Sequence, residues 1–368
     1  MKKFEWKSVL ALALTGVLAL GLTACGSSDS KTADAGSAAA ADGKAVYRTL
    51  DEIKESEGLD RVDMKLADNQ IELLQAVEQA NPNTVVVLNA GASLETPWLA
   101  HCRALVYGAL GGQAGAGAMV DVLTGKVNPG GKLAETWANA YEETPAKDNF
   151  AGAGRTVQYR EGLYVGYRYY QTAGVPVAFP FGYGLSYTGY AYSDLKATAD
   201  SVSLTVTNTG ARDGAEIVQV YIAKPGAEIF RPAQELKAFA RVSLAAGESR
   251  TVTLPLDDKA FRYWNTRTDC WEVEGGRYEV RVGASSADIR LTANVDIRGT
   301  NAPDPYAGKA LPHYKSGSVQ NVPDAEWEAL LGHPIPQDKV KIDRNMTLGE
   351  LNHSRSPLGW LIWAVLTA

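Results

Sequence analysis

DNQIELLQAVEQA, NPN, TVVVL: the run from Asp68 to Leu88 decides the architecture of the first half of this chain. Ile71, Leu74 and Val77 recur at helical spacing while Glu72, Gln75 and Glu78 fall elsewhere on the wheel, so Asp68–Ala80 reads as an amphipathic helix. Asn81-Pro82-Asn83 stops it, because proline cannot continue the hydrogen-bond ladder. Thr84–Leu88 is an unbroken, β-branched run, the pattern of a strand covered on both faces. Gly91 marks the turn out of it. Downstream, Ala104–Leu110 reads as a second buried strand and Ala114–Leu123 as a second helix. Helices alternating with strands predict a parallel α/β sheet. Two confident strands are few for such a sheet, so the stretch supplies only part of a layer.

Past about residue 195 the period changes from helical to two. Val202, Leu204 and Val206 alternate with Ser203, Thr205 and Thr207, and the same alternation returns at Val218–Ile222, Val252–Leu256, Tyr278–Val282 and Ile289–Ala293. Turn signals separate these runs: Asn208-Thr209-Gly210, Arg212-Asp213-Gly214, Ala246-Gly247-Glu248 and Glu274-Gly275-Gly276. About seven short strands at this spacing predict a β-sandwich. Residues 300–368 read as a Pro/Gly-rich linker and a helical tail, with a short helix beginning near Asp324. The apolar end from Pro357 is too short to span a bilayer, which takes about 20 residues. It is an interfacial helix, a packing helix, or part of a longer one.

A length of 368 residues allows about two domains with connecting segments. Lys+Arg is 36 against Asp+Glu 42, a net charge of −6, which argues against a nucleic-acid partner. Three Cys exclude a disulfide scaffold, and four His without metal-ligand spacing leave no metal site to expect. Cys102 and Cys270 are expected to be unpaired and buried. The glycine run Gly111–Gly117 lacks the acidic residue and the Gly-Lys-Ser/Thr that nucleotide loops need.

The N-terminus reads as targeting rather than fold. Lys2, Lys3 and Lys7 precede an uncharged, Leu-rich run from Val9 to Ala24, and the run closes on Leu22-Thr23-Ala24-Cys25. This resembles a bacterial lipoprotein signal with its lipobox over residues 1–25. The resemblance implies that Cys25 is lipidated, becomes the mature N-terminus, and anchors the protein in a membrane at the cell surface or envelope. Residues 26–43, rich in Ser, Ala and Asp, read as a flexible tether.

Eight segments then occur in order: Glu55–Arg61 (ESEGLDR), Asn81–Val87, Pro97-Trp98-Leu99, Gly112-Gln113, Asn128–Thr136 (NPGGKLAET), Tyr159–Gly162 (YREG), Gly166–Tyr170 (GYRYY) and Phe179–Thr188 (FPFGYGLSYT). Together they resemble the C-terminal α/β-sandwich domain of family 3 glycoside hydrolases, the β-glucosidase-like group, here over residues 44–194. Val206–Gly210, Gly214–Glu216, Gln219–Tyr221, Arg231-Pro232 and Val282–Ser286 resemble the fibronectin type III-like domain found behind it in that family, here over 195–299. Gly130 and Ala134 stand where the family has Ser and Pro, and Ala114 stands where an acidic residue is usual.

The resemblance implies a retaining glycosidase chemistry without cofactor. One carboxylic acid protonates the leaving oxygen, and a carboxylate about 5 Å away attacks the anomeric carbon. Glu57 matches the family's general acid/base, while Asp60 and Arg61 read as a local ion pair that steadies its loop. The family nucleophile is an Asp on an N-terminal (β/α)8 barrel of about 250 residues. Only 54 residues precede Glu55, so no nucleophile is expected within this chain. The aromatic run 164–170 and the segment 179–187 either stack on sugars or pack at a domain junction.

Three functional readings follow. The chain is a family 3 module acting on a β-linked glucoside or oligosaccharide, with a separate barrel polypeptide as partner. Or it is a non-catalytic, carbohydrate-binding or adhesive surface lipoprotein. Or it is a rearranged gene product without a function of its own.

Overall fold

In the computed structural model, which describes residues 61–150, 152, 156–337 and 339–367, the two predicted architectures follow one another. Helix α1 (Asp68–Ala80) leads into β1 (Val85–Leu88), which pairs in parallel with β2 (Ala104–Tyr107) from Val85↔Ala104 to Leu88↔Tyr107. Helix α2 (Gly115–Leu123) follows. The core beneath this layer gathers Leu88, Ala90, Leu94, Trp98 and Trp137, with Leu66 and Leu74 packed against it. The covering is one-sided. Val85 and Val87 remain 48% and 39% exposed, so β1 is not the doubly covered strand its apolar run predicts. Helix α1 buries no residue fully, and Val77, expected on its inner face, is exposed. The second strand ends at Tyr107, three residues before its expected end, and none of its residues is fully buried.

Two short strands, β3 (Trp137–Ala138) and β4 (Val177–Phe179), pair antiparallel, and helix α3 (Tyr167–Ala173) lies before β4. The β-sandwich is built from seven strands: β5 (Tyr190–Ala197), β6 (Ser201–Asn208), β7 (Gly214–Ala223), β8 (Glu235–Leu244), β9 (Ser249–Pro255), β12 (Gly276–Gly283) and β13 (Ile289–Ile297). One sheet has the order β13-β12-β7-β8 and the other β5-β6-β9. A hairpin, β10 (Arg262–Asn265) with β11 (Cys270–Val273), stands outside both. Val202, Leu204 and Val206 of one sheet meet Val218, Val220, Val280 and Val282 of the other, all fully buried. Each such side chain contributes roughly 1.5–3 kcal/mol relative to exposure. A one-residue slip would turn the whole set to solvent, which pins the register.

The segment read as linker and tail is integrated into the molecule. Leu311, the Tyr314 of helix α4 (Pro312–Ser316), Val319, Val322 and Trp327 of α5 (Asp324–Leu331) join Tyr164, Tyr169, Tyr170 and Phe230 in a third core. Arg160 of the YREG motif donates to the Val322 carbonyl at 2.8 Å and pairs with Asp324 at 2.6 Å. The closing helix α6 (Pro357–Thr367) leaves Leu358, Trp360, Leu361, Ile362, Val365 and Leu366 exposed. Among the described residues no helix is long and apolar enough to cross a membrane. Cys102 is half-buried, and burial pushes its thiol up from the ordinary range. Cys270, expected to be buried, is exposed, because it lies on the outlying hairpin.

Candidate active site

The carboxyl end of β1 is where an α/β layer presents loops to a ligand. Three segments are stitched together there. Glu95 N donates to the Met64 carbonyl at 2.7 Å. Glu95 itself is buried, and its Oε1 accepts from Tyr141 N at 2.9 Å. Trp98 Nε1 donates to the Glu95 carbonyl at 2.9 Å, which seats a fully buried indole under the loop.

Arg61, the last residue of ESEGLDR, enters this junction. Its Nη1 donates to the Ser93 carbonyl at 3.4 Å, while Nε and Nη2 are buried without an acceptor among the described residues. Its charge also acts on Glu135, the acid of NPGGKLAET. Burial pushes the Glu135 carboxyl up from the ordinary range, against hydrogen bonds from Ser93 and the Arg61 charge that pull it down. Among the described residues, Arg61 thus bonds Ser93 and acts on Glu135 through its charge. Its expected partner Asp60, the candidate acid/base Glu57 and the candidate lipidation site Cys25 all lie outside the described residues. Ser93 and Glu135 were not singled out from sequence as site residues. Glu135 sat inside a recognised motif, but only the fold brings it within range of the Arg61 charge.

NPGGKLAET and FPFGYGLSYT meet at a different place, the seam between the α/β domain and the sandwich. Asn128 Nδ2 donates to the Asp213 carbonyl at 2.9 Å, and its Oδ1 accepts from Ser186 Oγ at 2.9 Å and Tyr187 N at 2.7 Å. Lys132 Nζ donates to the Gly184 carbonyl at 3.0 Å and pairs with Glu216 Oε1 of β7 at 3.1 Å, both side chains being largely buried. Gln219 Nε2 donates to the carbonyls of Gly182 (3.1 Å) and Ala284 (2.7 Å), and its Oε1 accepts from Tyr221 Oη at 2.6 Å. Gly182 has φ +78°, and a Cβ there would lie 2.0 Å from Gln219 Oε1, so a glycine is required on both counts.

The aromatic run resolves the same way. Tyr164, Tyr167, Tyr169 and Tyr170 are buried. Tyr167 stacks on Phe181 at 4.8 Å and accepts at Oη from Leu236 N at 2.8 Å. Tyr164 donates to the Tyr314 carbonyl. These rings pack the junction and are not presented to a sugar.

Both halves have counterparts among known families. Residues 6–187 match the glycosyl hydrolase family 3 C-terminal domain, and residues 216–286 match the fibronectin type III-like domain. The first match begins well before residue 44 and so runs across the segment read as signal and tether. The chain carries the α/β domain of glycosyl hydrolase family 3 followed by a fibronectin type III-like sandwich. Its homologues are β-glucosidase-like glycoside hydrolases. It is 44% identical over 271 residues to thermostable β-glucosidase B of Acetivibrio thermocellus, covering 72% of this chain and 36% of that one. It is 43% identical over 266 residues to an exo-α-(1→6)-L-arabinopyranosidase of Bifidobacterium breve, covering 71% and 35%. The crystal structure of a Bifidobacterium adolescentis family 3 β-glucosidase superposes with a TM-score of 0.65 at 36% identity, covering 85% of this chain and 41% of that one. That of a Kluyveromyces marxianus β-glucosidase in complex with glucose gives 0.64 at 43% identity, covering 66% and 30%. The chain thus spans little more than a third of the length of the curated relatives it matches.

Proposed function

We infer that this chain is the acid/base-bearing module of a β-glucosidase-like enzyme that hydrolyses O-glycosyl bonds of terminal β-linked glucosides. The carrying observation is the 44% identity to a β-glucosidase. The anchoring of Arg61 supports the reading. Glu57 belongs to the same ESEGLDR motif, four positions before Arg61. In this reading Glu57 protonates the leaving oxygen, and the attacking carboxylate comes from a family barrel outside these 368 residues. The YREG, GYRYY and FPFGYGLSYT motifs together with the sandwich hold the acid-bearing layer rigid.

An aryl β-glucoside assay tests this. The chain alone should release aglycone at the background rate, because protonation without a nucleophile completes no step. Adding a family 3 barrel, as a separate polypeptide or fused, should raise the rate. Turnover by the chain alone, or none with any barrel, would count against the reading.

The export reading is likewise our proposal. It rests on the run Leu22–Cys25, whose cysteine would carry the lipid. Cys25→Ala should move the protein from the membrane to the soluble fraction. Unchanged membrane fractionation would reject Cys25 as the anchor.

A further inference from the structure

Along the β7–β8 connection, residues 224–234, the surface holds two hollows of about 320 and 310 Å3 that meet at Ala233 and Arg281. Their chemistry changes from one end to the other. The first gathers the cations Lys224, Arg231, Arg281 and Lys315. Two of these have carboxylate partners: Arg231 Nη2 lies 3.2 Å from Glu274 Oε2, and Arg281 Nη2 lies 2.7 Å from Glu279 Oε2. Lys224 and Lys315 have none among the described residues, Lys224 Nζ resting 5.2 Å from the centre of the Tyr278 ring. Arg231 Nε is buried without an acceptor among the described residues. In a chain of net charge −6, two uncompensated lysines flanking a guanidinium with an unused donor form a local positive focus.

The second hollow is polar but uncharged beyond Arg281, lined by Gln171, Gln234 and Ser286. Gln234, only 3% exposed, donates to Gln171 Oε1 at 3.0 Å and to the Ser286 carbonyl at 2.7 Å, and accepts from Arg281 Nη1 at 3.1 Å. These bonds hold the amides rigid. Ser286 is 2% exposed, yet its Oγ is buried with no hydrogen-bond partner among the described residues. A buried hydroxyl without a partner costs free energy that a ligand can restore.

We propose that the joined hollows bind an acidic saccharide: a sugar carboxylate sits among Lys224, Arg231 and Lys315, and ring hydroxyls meet Ser286 and the amide end. Each hollow falls at the lower end of ligand-pocket volumes, roughly 300–1,000 Å3, the scale of one or two sugar residues. The cations supply charge-assisted hydrogen bonds to the carboxylate. This site is independent of Glu57 and of the hydrolase reading.

Calorimetric titration of the full chain with glucuronate, glucose and inorganic phosphate tests it. Glucuronate should bind about tenfold or more tighter than glucose, and tighter than phosphate, with affinity falling as salt rises. The Lys224→Gln/Lys315→Gln double variant should lose about tenfold or more in glucuronate affinity. Ser286→Ala should lose about two- to fivefold for glucuronate and nothing for phosphate. Lys315 is exposed and Lys224 half-buried, so an unchanged thermal melt shows that the double variant is folded. Failure to bind glucuronate, phosphate binding as tight as glucuronate, or unchanged affinity in the folded double variant would each overturn the proposal.

Discussion

Glu57→Gln, assayed with a family 3 barrel supplied, is expected to lower turnover of alkyl β-glucosides by about 10²–10⁴-fold, the usual worth of a positioned general acid. The loss should depend on the leaving group. An alkoxide departs only if it is protonated as the bond breaks, so alkyl glucosides should suffer the full penalty. A nitrophenolate leaves without help, so the first step on an activated aryl glucoside should be little affected. Its turnover should then stall at the second step, where the same carboxylate would activate water. Azide attacks the glycosyl-enzyme without a general base, so adding it should restore turnover of activated substrates and yield the glycosyl azide. The measurements are kcat/KM across a series of leaving groups, which reports the first step, and kcat of the activated substrate with and without azide, which reports the second. Equal losses for good and poor leaving groups would remove Glu57 from the acid role.

The second large effect is on stability. Lys132→Met should destabilise the folded protein by about 3–5 kcal/mol, because it leaves the Glu216 carboxylate buried without its cation. Glu216 is 3% exposed, and Lys132 joins it from the other side of the seam at 3.1 Å while also holding the Gly184 carbonyl. The double variant Lys132→Met/Glu216→Leu removes both charges and should recover most of the loss, since a well-packed apolar pair often equals a buried ion pair. Urea unfolding of the parent, both single variants and the double variant measures the coupling. Additive losses would show that the two side chains do not act as a pair.

The position of this ion pair explains the role of two of the recognisable motifs. NPGGKLAET and FPFGYGLSYT contribute Asn128, Lys132, Gly182 and Gly184, which bind one another and Glu216 and Gln219 of β7. They are recognisable because close backbone approach and buried polar pairing tolerate few residue types. Gly182 must combine a positive φ with space for the Gln219 amide. Such constraints belong to a rigid joint between two layers.

Local pattern was sufficient for part of the secondary structure, although it marked neither β5 nor β8. The helical spacing of Asp68–Ala80, the stop at Asn81-Pro82-Asn83 and the β-branched run after it determined α1 and β1, and strict alternation determined the sandwich strands around Val202, Val218, Val252, Tyr278 and Ile289. Both signals are short-range, because helix and strand periods arise from backbone geometry over a few residues. Burial was not legible in the same way. The run TVVVL predicts cover on both faces, yet Val85 and Val87 are open, since cover depends on which elements return to that face. Nor did spacing reveal that Tyr164, Phe230 and Tyr314 share one core, or that Arg61 bonds Ser93 and acts through its charge on Glu135. Those partners lie tens of residues or more apart, and only the path of the chain through three dimensions brings them within reach of one another.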